Sequence, residues 1–411
     1  MLEPTPAADD PAPLTYHRDI ARHLKSAEPG MWSWFAASQQ RAEDADAFRL
    51  DLLKTTYRLD AVGHPALFEL TDELKSTMAL RGTVSIYQSH AGEALNAALA
   101  FLPGEAHIVF AGPVLATLAP DELKALLAHE LAHYQLLEGW EGEFLTAADL
   151  IRALAADASC GPEYAETARL WSLYTELYCD RWALKATGDL AAAVRTLVKA
   201  QVGLDDINAE SYLRQAADIF RAGPVKAGQI THPELYIRAR ALELWHRQGA
   251  AAEAEIERMI QGPLGLNQLD LLVQRRASEF TFALLTEVLA PAWLRTDANL
   301  AHARQFFADF KTRRESSEQW GIAQTFEEGD PSLRDFGCYL LMDFATVDRD
   351  LGDAGVAAML CRARAWGIAE RFAELAQKEL GHTKKAWTKL DKDAETLVKE
   401  AAQSAAAEAL S

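Results

Sequence analysis

The chain has 411 residues, 49% of them hydrophobic, and a formal net charge of -19. That length and apolar content suit two or three packed domains and exclude a disordered chain. The acidity argues against nucleic acid and anionic membrane surfaces as partners, because both need basic patches.

The first 14 residues, acidic and proline-rich, read as a flexible tail. They lack the basic start and apolar run of a secretory signal. No stretch is long and apolar enough to span a bilayer; the best runs, near 94–104 and 108–120, are short and contain proline. Four cysteines, Cys160, Cys179, Cys338 and Cys361, form no CxxC pair, which fits a reducing compartment. The expectation is a cytoplasmic protein.

Residues 16–79 have a helical pattern. Within it, Met31-Trp32-Ser33-Trp34-Phe35 is a dense aromatic cluster, expected to pack in a core. Between Gly82 and Gly112 the period changes. Residues 83–87 and 107–111 alternate as strands, with Asn96-Ala97-Ala98-Leu99-Ala100 between them and a turn at Pro103-Gly104. A short sheet in this position has an edge that can hold an extended peptide by backbone pairing.

A helix follows. Pro120 suits its first position, Asp121 and Glu122 favour its positive N-terminal end, and Gly139 suits its stop. It carries His129-Glu130-Leu131-Ala132-His133, the pattern H-E-x-x-H. Positions i and i+4 share a helix face, so both imidazoles can reach one metal ion, and the glutamate can take a proton from a water beside it. A tetrahedral catalytic zinc needs a third protein ligand and one open position. Residues 141–202 are again helical, and within them Glu176 is the best candidate. Asp180 follows one turn later, where a carboxylate can orient a ligand histidine. By spacing alone, an ordinary surface pair beside Arg181 accounts for these two equally well. Farther on, Thr231-His232-Pro233 offers a histidine able to donate to an oxyanion; it equally suits a helix entry with Thr231 as cap.

Beyond Gln248 the composition shifts. Connectors at 249–253 and 261–265 precede several helices, broken at 328–332 and 381–382. His302 and His382 have no partner at ligand spacing and read as surface residues. The charged, alanine-rich end reads as a fraying helix.

Over roughly residues 65–244 these motifs, in this order, resemble the metallopeptidases typified by the HtpX heat-shock protease, the type I CAAX prenyl endopeptidase and the mitochondrial Oma protease. The matching elements are an Asn-Ala strand, an apolar strand ending in Gly, H-E-x-x-H, E-x-x-x-D and T-H-P-x-x-x-x-R. The resemblance implies one zinc held by His129, His133 and Glu176, with Glu130 as general base. It implies that Asp180 orients a ligand histidine, that His232, backed by Arg238, assists at the oxyanion, and that Asn96 and Ala97 bind substrate backbone. The implied fold is α+β and mainly α: a zincin-like domain with a small mixed sheet over 15–248, then an all-helical domain of unassigned role over 249–411. The function expected is a zinc-dependent endopeptidase acting on peptides or proteins, without nucleic acid or a membrane span. The rival is a partner-binding adaptor with a latent or structural metal domain, its C-terminal helices contacting another protein.

Overall fold

The computed structural model describes residues 10–38, 45–89, 95–204, 206–223, 225–311, 320–381 and 383–408. Two compact units divide the chain, residues 1–262 and 263–411. No helix among the described residues is long and apolar enough to cross a membrane.

In the first unit, α1 (Thr15–Ala27), α2 (Pro29–Ser38), α3 (Ala45–Thr55) and α4 (Pro65–Thr77) accompany a four-stranded sheet; α1 and α2 pack on the helix Glu143–Ala156, α3 on the first strand. The strands of the sheet are β1 (Thr56–Arg58), β2 (Thr83–Ser89), β3 (Asn96–Leu102) and β4 (Glu105–Ala111), in the order β1-β2-β4-β3. β2 pairs parallel with β4, while β1 on β2 and β3 on β4 are antiparallel, so the sheet is mixed and β3 is an edge. Strand β1 interrupts the stretch expected to be all helix; its three residues owe their extended form to pairing with Tyr87, Gln88 and Ser89.

After the one-turn α5 (Val114–Thr117) come α6 (Pro120–Glu138), α7 (Glu143–Ala156), α8 (Pro162–Thr187) and α9 (Leu190–Val202), then α10 (Ala209–Ala222), α11 (Leu235–Gln248) and α12 (Glu253–Gln261). Helix α6 starts on Pro120 and stops at Gly139, as its sequence predicts. The Glu122 carboxylate accepts from the Ala119 N–H (3.0 Å) and from Lys199 Nζ (2.8 Å), capping α6 and tying it to α9. Tyr178 Oη donates to Gln135 Oε1 (2.6 Å), and Gln135 Nε2 donates to the Met78 carbonyl (2.8 Å), which sets the register of α8 against α6. Tyr134 Oη donates to the Arg81 carbonyl (2.8 Å). The neighbouring Gly82 has φ +90°, and a Cβ there would stand 2.3 Å from the Gly104 carbonyl oxygen and 2.5 Å from the Tyr134 hydroxyl of α6; only glycine allows this close approach.

Helix α1 packs behind α8: Tyr16 stacks on Tyr174 at 4.5 Å, and His17 Nε2 meets Thr175 Oγ1 at 3.2 Å. Burial pushes His17 down to about 3, so it sits there neutral. Pro11, Pro13 and Leu14 are buried too, so this part of the expected tail is ordered by packing; residues 1–9 lie outside the described residues. The aromatic cluster divides. Trp32 is buried, whereas Trp34 is 58% exposed on a helix without a charged residue. Residues 249–261, expected beyond the domain boundary, pack on α8 and α11 in the first unit.

The second unit is helical: α13 (Leu271–Val288), α14 (Asp297–Phe306), α15 (Ile322–Glu328), α16 (Pro331–Thr346), α17 (Gly352–Ala365), α18 (Ala369–Glu379) and α19 (Lys384–Glu408). Phe280, Phe326, Phe344 and Phe372 centre its core. The break at 328–332 is a helix start, with Asp330 capping the Ser332 N–H at 2.8 Å and Pro331 in the first turn. His302 is no surface residue: its ring packs between Phe306 and Phe344, 5.6 and 5.0 Å away, because α14 turns that face inward. His382 lies outside the described residues. Trp387, Leu390 and Ala394 anchor α19 in the core, so the terminal helix is held over that stretch.

Candidate active site

Helices α6 and α8 lie side by side and bring together residues 47 positions apart in sequence. His129 Nε2 stands 3.4 Å from Glu176 Oε2, and His133 Nε2 stands 3.6 Å from Glu176 Oε1. Donor atoms about 2.1 Å from a tetrahedral ion stand roughly 3.4 Å from one another, so this spacing suits a metal ligand set. Glu176 Oε2 is buried and makes no hydrogen bond of good geometry, although Arg238 lies 3.3 Å away. A buried carboxylate whose two oxygens each face one imidazole nitrogen, one of them with spare lone pairs, is the donor arrangement a cation would satisfy.

Asp180 sits one turn beyond Glu176, and its Oδ1 is 3.1 Å from His129 Nδ1. That contact holds the ring so that Nε2 faces Glu176. Arg238, from α11, grips Asp180 with two bonds, Nε to Oδ2 at 2.8 Å and a terminal nitrogen to Oδ1 at 2.6 Å. His232 lies on the segment before α11, its side chain 59% exposed, with Nε2 3.4 Å from Glu176 Oε1. The α11 helix starts at Leu235, so Thr231 is not its cap; the Thr231 hydroxyl contacts His232 Nδ1 at 2.8 Å instead.

These contacts set the charges. Burial lowers the His129 pKa, but the carboxylates of Asp180 and Glu176 beside the ring outweigh it and raise the ring to about 10. Burial pushes His133 down to about 4. For Glu176, burial works upward, yet Arg238 and the two histidines hold the carboxyl well below the usual range. Asp180 behaves likewise: burial opposes ionisation, and the Arg238 fork prevails. Glu130 has no such partner. Burial pushes it up to about 7, against the pull of His129 and a hydrogen bond from the Leu99 backbone.

Sequence reasoning overlooks one neighbour. Cys179, fully buried, places its sulfur with donor nitrogens of His129 and His133 inside a 4.8 Å group. The helical offset of three from Glu176 puts both on one face, so the signal was present. Burial, with the carboxylates of Glu176, Asp180 and Glu130, keeps this thiol well above its ordinary pKa and so protonated. Cys179 and Glu176 thus both stand on α8 within reach of the two histidines.

The site opens into a cleft of about 840 Å³, lined on one side by Asn96, Ala97, Ala98, Leu99 and Phe101 of the edge strand. Residues 69–246 match peptidase family M48. The M48 region thus contains the whole constellation, from the edge strand to Arg238, and M48 peptidases are metallopeptidases. The chain is also similar to the plastoglobule-localized metallopeptidase 48 of Arabidopsis thaliana, a chloroplastic protein, with 31% identity over 158 residues, 34% of this chain and 45% of that one. The chain therefore spans less than half the length of this curated relative. No solved structure matches the chain.

Proposed function

We propose that the chain is a zinc-dependent endopeptidase in which His129, His133 and Glu176 hold the ion and Glu130 is the general base. The observation that carries this reading is the convergence of two histidine nitrogens on the two oxygens of Glu176, at 3.4 and 3.6 Å, beside a carboxyl pushed up to about 7. The order of motifs along the chain supports a place near the HtpX, CAAX endopeptidase and Oma type, and four free thiols support a reducing, cytoplasmic setting.

When bound, the ion supplies Lewis acidity toward a water and the scissile carbonyl. Glu130 takes the proton from the water and delivers it to the leaving amine. Asp180, itself held by Arg238, keeps the His129 ring in its ligand orientation. His232 donates to the oxyanion. In the β3/β4 ladder, backbone groups point alternately toward and away from the partner strand. The Leu99 N–H is turned to Glu130, so Ala97, two residues away, turns its N–H and C=O to the cleft as well. Ala97, with Asn96 beside it, pairs with substrate backbone.

Metal content and cleavage of a broad peptide pool test this reading. Glu176→Ala is expected to lower zinc affinity about 100-fold or more; unchanged affinity would remove Glu176 from the ligand set. Uptake also has a proton signature. Below about pH 10 His129 is protonated before the ion enters, so zinc affinity should rise tenfold per pH unit from about 8 to 10 and then flatten. Calorimetry in buffers of different ionisation enthalpy counts the released protons. The count should be the same in Cys179→Ser; one proton fewer in that variant would mean that the sulfur is the ligand.

A further inference from the structure

His232 reaches the site from a segment with little structure of its own. Residues 225–232 form no helix or strand, and the ring is largely exposed, with Nε2 3.4 Å from Glu176 Oε1. After it, Pro233 is buried and α11 begins at Leu235. Before it, one side chain holds the backbone. Arg169 lies on α8 seven residues ahead of Glu176, two turns away along the same face. Glu166, one turn earlier, grips its Nε and one terminal nitrogen, both at 2.7 Å. That fork fixes the plane of the guanidinium. The other terminal nitrogen then donates to the carbonyls of Gln229 (3.0 Å) and Ala227 (3.3 Å). Two further bonds close the same segment. The Ala227 N–H donates to the Met259 carbonyl (3.0 Å), and the Gly228 N–H donates to Glu234 Oε1 (3.0 Å). Both Arg169 and Glu166 are largely buried, and neither is among the residues that line the cleft.

We infer that Arg169, oriented by Glu166, is the positioning residue for His232. It pins the backbone at Ala227 and Gln229 to α8, the helix that carries Glu176, and so sets how far the His232 ring stands from the site. The inference rests on the peptidase reading, in which His232 meets the oxyanion, and adds to it the residue that fixes the place of that ring. An exposed ring on an irregular segment is free to wander unless its backbone is held. A donor to the oxyanion must stand about 2.7–3.1 Å from it, so a small drift removes the hydrogen bond. With the clamp and Glu176 on one helix, the segment and the site keep a common reference. Arginine is suited to this place, because a lysine cannot hold Glu166 by two bonds and reach both carbonyls as well.

The test uses the full-length, zinc-loaded chain and a broad peptide pool. His232→Ala is expected to lower kcat about 10²-fold, the usual worth of one oxyanion donor. Arg169→Met should keep its zinc, leave KM within about twofold and lower kcat about tenfold, because the contact it loosens is made in the transition state. In the His232→Ala background the same change should cost less than about twofold in kcat, since the ring it positions is gone. An equal loss in both backgrounds overturns the inference; an arginine that only stabilised the fold would act on both alike. Wild-type kcat in His232→Ala overturns it too, because no catalytic ring would then need positioning. Amide hydrogen exchange gives a readout without turnover. Arg169→Met should speed exchange across residues 227–232 about tenfold and leave α6 around His129 and His133 unchanged. Arg169→Lys should fall between the wild type and Arg169→Met in both readouts, and serves if the methionine variant does not fold. If the wild type cuts nothing, the peptidase reading fails, and the pinning of the His232 segment stands or falls on exchange alone. Exchange across 227–232 that neither variant alters overturns the inference.

Discussion

Glu130→Gln is expected to leave zinc bound at one ion per chain and to lower kcat/KM for peptide cleavage by about 10²–10⁴-fold, the usual worth of a positioned base. The substitution is nearly isosteric, and its amide oxygen can still accept from the Leu99 N–H, the bond the carboxylate makes. Glu130 is only 5% exposed, so the swap exchanges a buried acid for a neutral amide and should not destabilise the fold. The wild-type pH profile carries a second mark of the same group. A carboxyl raised to about 7 is a base only above that value, so activity should fall as pH drops through the acid limb. A bound cation favours the ionised form, which places this limb below 7. Atomic absorption and steady-state kinetics on both proteins check the prediction. A variant that keeps activity within threefold, or loses its metal, would take the role of base away from Glu130.

Local chemistry was readable, and distant pairing was not. The two histidines and Glu130 lie within one and a half turns of a helix whose start, Pro120, and stop, Gly139, are written in the sequence. Glu176 and Asp180 share a face for the same reason, but their opposition to α6 depends on Tyr178 and Gln135 meeting across the two helices. The reach of Arg238 to Asp180 spans 58 residues and has no local signal. Strand β1 is legible only through its partner strand. On α9, Arg195 and Lys199 look like an ordinary solvated face; that they cap α6 through Asp121 and Glu122 is a tertiary fact. Trp34 shows the opposite case, an apolar residue whose type predicts burial and whose place on α2 leaves it in water.

Arg238→Met is expected to destabilise the metal-free protein by about 3–5 kcal/mol, the usual cost of stripping one partner from a buried ion pair. Arg238 makes both bonds to Asp180 and lies 3.3 Å from Glu176, and those two carboxylates are almost fully buried. Without the guanidinium, His129 is the remaining cation within reach, and two adjacent carboxylates share it. In a unit of this size the loss corresponds to a fall in thermal midpoint on the order of 10 °C. Zinc should then recover more stability in the variant than in the wild type, because the ion supplies the missing positive charge next to Glu176. Arg238→Lys keeps the charge but not the two-pronged geometry, and should fall between the two. Thermal unfolding of the full chain with and without zinc measures all three. Equal midpoints for the metal-free wild type and Arg238→Met would mean that Arg238 does not hold the carboxylates ionised. An equal zinc-induced shift in both proteins would mean that Arg238 and the ion act on the site independently, and would separate the orientation of His129 from the charge balance around Glu176.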